Sequence, residues 1–239
     1  MDENPVSSNS GKKIDGAFPV TRAEAVYLGN GYTLADCLPL YKKSWVTQGD
    51  SITAGNGGTP YQVQIGEKWN MTITNLGQSG AMVTPVNGIP IDCPDADYIT
   101  FWGGINDFKD STGVTLGDMN SAKTRGDTFY GALHYICRTL IEAHPAAKIG
   151  FITPMRCVYH EIDEDNQANG RGETLEQYVN AVKEVCGYYG IPVLDLYSEN
   201  NMSPYIAATK SAYYTDGLHP NSVGYARLAN RIEKFLMAL

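Results

Sequence analysis

Five short apolar runs alternate along this chain with stretches of helical periodicity, and that alternation limits the fold more than any other feature. The runs are Ser44 to Thr47, Met71 to Leu76, Tyr98 to Trp102, Lys148 to Thr153 and Pro192 to Asp195. Between them, Thr128 to Ala143 places Phe129, Ala132, Leu133, Ile136 and Leu140 on one face, and Leu175, Tyr178, Val179, Val182, Cys186 and Tyr189 line another. The second of these stretches opens on a Thr174-x-x-Gln177 capping box and closes on Gly190. A last helix, opened by Asn221-Ser222, repeats Leu228, Ile232, Phe235 and Leu239. Apolar strands spaced by amphipathic helices predict an α/β architecture of three layers, α/β/α, with a parallel sheet between helices. Ligands of such sheets bind beyond the carboxyl ends of the strands.

The 239 residues divide into three expected segments. Residues 1–13 are polar and aperiodic and read as a flexible tail. Residues 14–40 read as a small annex of short strands, with Phe18-Pro19-Val20, Val26-Tyr27-Leu28 and Tyr32-Thr33-Leu34 around a Gly29-Asn30-Gly31 turn. The annex resembles the short segment preceding modules of some phage-tail and bacterial surface proteins, and it is expected either to wrap the catalytic domain or to serve as a homo-oligomer contact. Residues 41–239 form the expected catalytic domain.

A net charge of -8, with no run of Lys or Arg, argues against nucleic acid and anionic membrane surfaces as partners. The N-terminal residues lack a signal-peptide layout and no apolar run has spanning length, so the expectation is a soluble protein, cytoplasmic by default. The five cysteines are scattered without a CxxC pair and read as reduced thiols, with Cys137 and Cys186 packed in helices.

Two patches from distant parts of the chain carry the chemistry. Ser51, in Gly49-Asp50-Ser51, follows the first strand in a turn that opens a helix, where a hydroxyl is exposed beside backbone N–H groups. Asp216 and His219, three residues apart before the last helix, supply a carboxylate and an imidazole. A serine hydroxyl needs an imidazole to take its proton, and the imidazole needs a carboxylate to hold its tautomer. Two further patches at strand ends offer oxyanion donors: the Gly80 backbone N–H in "NLGQSG" and the Asn106 side-chain amide in "GGIND". Asp50 and Asp107 are expected to brace their turns. His134, His144 and His160 read as structural or solvated. In the loop from Met155 to Gly172, expected to border the site, Arg156 and Tyr159 are candidate substrate contacts, as is Asp50.

These blocks, "GDSITAG", "NLGQSG", "GGIND" and "DGLHP", resemble the SGNH or GDSL-type hydrolase family and span Gly49 to Pro220. Ile52 stands where the family usually has Leu. The resemblance implies a flavodoxin-like, five-stranded parallel sheet, Ser51 as nucleophile with Asp216 and His219, and Ser51 N–H, Gly80 N–H and Asn106 as oxyanion donors. It implies an esterase of short-chain, chiefly acetyl, esters on a carbohydrate or other small molecule, with no metal or organic cofactor. Lipid acylhydrolase and thioesterase activities remain open within the family. Rival readings are metal-dependent phosphoester hydrolysis on Asp50, Asp107, Asp216 and His219, and a catalytically silent carbohydrate-binding or appendage component.

Overall fold

The structure, a computed structural model, describes residues 26–28, 31–109, 113–126, 128–159 and 162–239. It divides into two compact units, Met1–Tyr41 and Lys42–Leu239. In the first, Tyr27 and Thr33 form an antiparallel bridge, with Leu28 N–H donating to Tyr32 O and Leu34 N–H to Val26 O, both at 2.8 Å. A 3-10 turn, Ala35–Cys37, follows. The polar tail, the strand expected at Phe18 to Val20, and Gly29 and Asn30 of the expected turn lie outside the described residues.

In the second unit, β1 (Ser44–Gly49), β2 (Thr72–Gly77), β3 (Tyr98–Trp102), β4 (Lys148–Ile152) and β5 (Val193–Leu194) form one parallel sheet in the order β2-β1-β3-β4-β5. This is the flavodoxin-like order, and helices flank the sheet. Every residue of β3 is buried, which is why that strand reads as unbroken apolar sequence rather than alternation. Thr100, its one polar residue, accepts from Trp45 Nε1 at 3.0 Å. The edge strand β2 is only half covered.

The long helices follow their apolar stripes. α4 (Phe129–Ala143) starts where Thr128 accepts from Gly131 N–H, and α5 (Leu175–Tyr189) starts on the full Thr174/Gln177 capping box and ends on Gly190 in the left-handed region. The two pack on each other, with Phe129 and Tyr178 rings 4.8 Å apart and Cys137 and Cys186 fully buried. Each buried Leu, Ile or Phe on these faces contributes about 1.5–3 kcal/mol by leaving water. α8 (Ser222–Ala238) is capped by Asn221, whose side chain accepts from Val223 and Gly224 N–H.

α2 (Tyr61–Trp69) is a helix that periodicity does not reveal. Its buried face holds Tyr61, Gln62, Ile65 and Gly66, a mixture with no apolar stripe. Gln62 is tolerated inside because its Nε2 donates to Thr47 Oγ1 at 3.0 Å and to Thr53 O at 2.9 Å. Tyr61 packs between Trp45 and Trp102, at ring separations of 5.9 and 5.6 Å. The described residues also form the shorter α-helices α1 (Ser51–Ala54), α3 (Ile105–Phe108), α6 (Leu196–Glu199) and α7 (Ala207–Tyr213), and a 3-10 turn, Pro85–Asn87.

Candidate active site

The strand order reverses between β1 and β3, the point at which sheets of this kind take up ligands beyond the carboxyl ends of their strands. α1 begins at Ser51 directly after β1, and α3 carries Asn106 directly after β3. α1 lies so close to β2 that a Cβ on Gly77 would stand 2.3 Å from Ala54 N, so only glycine fits at the end of that strand.

His219 reaches Ser51 across 168 residues because the start of α8 is clamped to the turn after α1. Tyr225, fully buried, shares its one hydroxyl hydrogen between Ile52 O and Asn56 O, both at 2.9 Å, and Thr59 N–H donates to Ser222 Oγ at 3.1 Å. The result is a continuous relay. Ser51 Oγ lies 2.8 Å from His219 Nε2, and His219 Nδ1 lies 2.7 Å from Asp216 Oδ2. Asp216 Oδ1 accepts from Leu218 N–H at 2.9 Å and His219 N–H at 2.7 Å, so the carboxylate folds its own turn while it orients the ring. Burial opposes its charge, but the His219 ring and these backbone amides outweigh that and hold the carboxyl below its ordinary range. A charged Asp216 places the proton on Nδ1 and leaves Nε2 as an acceptor facing Ser51.

The expected oxyanion donors are held by contacts of their own. Gly80 takes φ of +75°, and among the described residues no group accepts from the backbone N–H of Ser51 or Gly80. Asn106, 7% exposed, donates one Nδ2 hydrogen to Ala81 O at 2.8 Å, which leaves the other for a ligand. Its Oδ1 accepts from Lys109 Nζ at 3.2 Å, so the two ends of the amide are distinguished by their partners. Lys109 also lies over the Tyr159 ring, 4.9 Å from its centroid, and Tyr159 stands edge-on to His219 at 6.3 Å. Lys109 is the site residue that sequence reasoning missed. The available signal was its position three residues after Asn106, where side chains share a helix face.

The remaining candidates take distinct places. Asp107 accepts from Val83 N–H, Thr84 N–H and Thr84 Oγ1 and thereby holds the segment after Gly80. Asp50 caps α1 by accepting from Ile52 N–H at 3.0 Å, and it is only 1% exposed, beneath the turn. Arg156 stacks on the Tyr197 ring at 3.9 Å and donates to its hydroxyl at 3.1 Å, with no described hydrogen bond to Ser51, His219 or Asp216. Its loop touches the turn that carries Asp216 and His219, where Val158 N–H donates to Gly217 O at 3.0 Å. His134 is buried against Tyr189, and His160 lies outside the described residues. Among the described residues no cluster of His, Cys, Asp or Glu could hold a metal ion, and no helix is long and apolar enough to cross a membrane.

Burial pushes the Asp50 carboxyl up from 3.8 to about 7, with the Asp107 charge adding to the rise and Ile52 N–H and Lys109 opposing it. The folded protein therefore binds a proton at Asp50 that the unfolded chain has already released. This cost to stability is absent below the unfolded pKa and grows as pH rises from 3.8 to about 7, after which it is constant. Asp50→Asn removes that dependence. Thermal unfolding at about pH 4.5 and about pH 8 should show the variant gaining on the wild type at the higher pH, by an amount on the order of a few kcal/mol; an equal gap at both would show an ordinary carboxyl.

Comparison with known proteins agrees with this architecture. The model of the GDSL-like lipase/acylhydrolase family matches residues 48–227. No curated protein matches the chain. Among solved structures, a Lactobacillus plantarum protein is 30% identical with a TM-score of 0.74, covering 83% of this chain and 98% of its own. A possible lipase from Chitinophaga pinensis is 24% identical with a TM-score of 0.66, covering 82% and 98%. The acetylxylan esterase Axe2 of Geobacillus stearothermophilus is 19% identical with a TM-score of 0.55, covering 82% and 94%, and shares the fold. With the family's model matched from the end of β1 into α8, the chain belongs to the GDSL-like lipase/acylhydrolase family and is a hydrolase.

Proposed function

We propose that the protein is a serine esterase that removes short acyl groups, chiefly acetyl, from a carbohydrate or similarly polar alcohol. The observation that carries this reading is the Ser51–His219–Asp216 relay, with hydrogen bonds of 2.8 and 2.7 Å. Ser51 Oγ attacks the ester carbonyl while His219 Nε2 takes its proton. The oxyanion is received by Ser51 N–H, Gly80 N–H and Asn106 Nδ2. His219 then protonates the departing alcohol, and water repeats the sequence on the acyl-enzyme to release the acid. Every step uses side chains and backbone of this chain.

A polar alcohol is favoured by what surrounds Gly80. Ser79 Oγ donates to Asn56 Oδ1 at 3.0 Å, and Asn87 Nδ2 would lie 3.7 Å from a Cβ on Gly80. A lipid surface requires a contiguous exposed apolar apron. Of the large exposed apolar residues described in the second unit, Val86 adjoins Asn87, while Val63 on α2, Tyr135 on α4, Tyr188 on α5 and Val223 on α8 are spread over separate helices.

The test is hydrolysis of aryl esters of increasing acyl length beside acetylated sugars, with Ser51→Ala as blank. A sharp preference for acetyl, with turnover of acetylated sugars, is the expected result. Rates that climb with chain length would overturn the acetyl assignment in favour of a lipid acylhydrolase. Lys109 is assigned here as a positioning residue for Asn106. Lys109→Met should lower kcat about tenfold with little change in KM, and Lys109→Arg should restore much of it. An equal loss in both variants would mean that the Nζ contact does not orient the amide.

A further inference from the structure

A second nucleophile and base stand at the opposite end of the sheet from Ser51. Cys93 Sγ lies 3.4 Å from His144 Nε2, and His144 Nδ1 lies 2.8 Å from Asp95 Oδ1. Cys93 and Asp95 belong to the segment that enters β3, and His144 ends α4 just before β4, so the group lies at the amino ends of the strands. We propose that Cys93 is a thiol modification site at which His144 acts as base, taking up a small, preferably cationic, disulfide as a mixed disulfide.

Three features support this. The first is preorganisation. The segment carrying Cys93 is pinned at its start by Gln48 Nε2, which donates to Pro90 O and Ile91 O at 2.8 Å. It is pinned at its end by Asp97, which accepts from Ser44 N–H and Ser44 Oγ at 2.8 Å and returns its own N–H to Ser44 Oγ at 2.9 Å. His144 is 9% exposed and held as the C-cap of α4, its N–H donating to Leu140 O.

The second is the tautomer. Asp95 accepts from Nδ1, which leaves Nε2 as the acceptor directed at the thiol. The third is accessibility. Cys137, Cys157 and Cys186 are buried, whereas Cys93 is half-buried. Burial, together with the Asp92 and Asp95 charges, keeps the Cys93 proton in place at rest, so its thiolate must be generated during attack. The His144 imidazole at 3.4 Å is placed to do that.

The exchange balances without any further reactant. Cys93 Sγ attacks one sulfur of the disulfide as its proton passes to His144 Nε2. The new Sγ–S bond forms, the original S–S bond breaks, and the departing sulfur leaves as a thiol on taking that proton. Cys93 is oxidised and the small disulfide reduced. Asp95 stabilises the transient imidazolium, and Asp92 and Asp95 favour a cationic reagent over an anionic one.

The experiment exposes the full chain to cystamine and follows labelling by peptide mass mapping, with exposed Cys37 as internal reference. Cys93 should be labelled, and His144→Gln should slow it about tenfold or more while Cys37 is unchanged. Anionic 3,3′-dithiodipropionate should react more slowly than cystamine at Cys93. An unlabelled Cys93, or an equal Cys93 rate in His144→Gln, would overturn the proposal. New labelling of Cys137 or Cys186 would reveal a loosened fold in that variant. Asp95→Ala, at an exposed side chain, then carries the test, and an unchanged Cys93 rate there overturns the relay. Esterase turnover should persist after Cys93 is labelled, because the two sites occupy opposite ends of the strands.

Discussion

Ser51→Ala protein is expected to lose ester hydrolysis by on the order of 10⁴-fold or more while folding normally. The size of the effect follows from how the three groups act. His219 and Asp216 have no task in acyl transfer without a hydroxyl to activate, so removing Oγ removes their contribution with it. What remains is binding and the oxyanion donors, which can assist direct attack by water only weakly. Folding should be spared because α1 is held by other contacts: the Asp50 cap, the Tyr225 hydroxyl on Ile52 O and the close approach to Gly77. Steady-state rates on an aryl acetate, with unfolding temperature measured in parallel, check both statements. Turnover near the wild-type level in a folded Ser51→Ala protein would refute the nucleophile assignment.

The second large effect is expected at Asn106. Asn106→Ala should cost about 10²–10³-fold in kcat with a small change in KM, because the proposed oxyanion role acts on charge that develops in the transition state rather than on the ground-state carbonyl. The amide is well held for this purpose. One hydrogen is committed to Ala81 O, Oδ1 is engaged by Lys109, and the side chain is nearly buried, so the free hydrogen needs no reorganisation during reaction. Measuring kcat and KM separately decides the matter. A loss confined to KM would make Asn106 a substrate-binding residue and leave the oxyanion to other donors.

Much of the architecture was legible because local and tertiary demands coincide. Thr174 and Gln177 signal a helix start through side chains that bond their own backbone, and the same residues form the capping box in the fold. Tyr98 to Trp102 reads as a buried strand because both of its faces are covered. α2 was not legible, because Gln62 and Gly66 lie on its buried face: one donates its amide hydrogens to β1 and α1, the other admits the Ile73 side chain against the helix. α7 was missed for a related reason. None of its residues is buried, so it carries no stripe.

The site divides in the same way. Ser51, Asp216 and His219, which the structure brings together, are visible in sequence because each lies in a short block whose turn chemistry is local. The approach of Ser51 to His219 depends on Tyr225 and Ser222 fastening α8 to the turn after α1, a long-range contact with no periodic signature. The Cys93–His144 approach is likewise invisible, since 51 residues and a strand separate its members. His144 before a proline reads as a solvated helix end until the segment entering β3 is laid against it.

The central claim is that Ser51 is an activated nucleophile, and covalent labelling with a fluorophosphonate tests it most directly. The wild-type protein should gain a single adduct that maps to Ser51, with labelling strongly reduced in His219→Ala and absent in Ser51→Ala. A wild-type protein that hydrolyses esters yet gains no adduct at Ser51 would contradict the account.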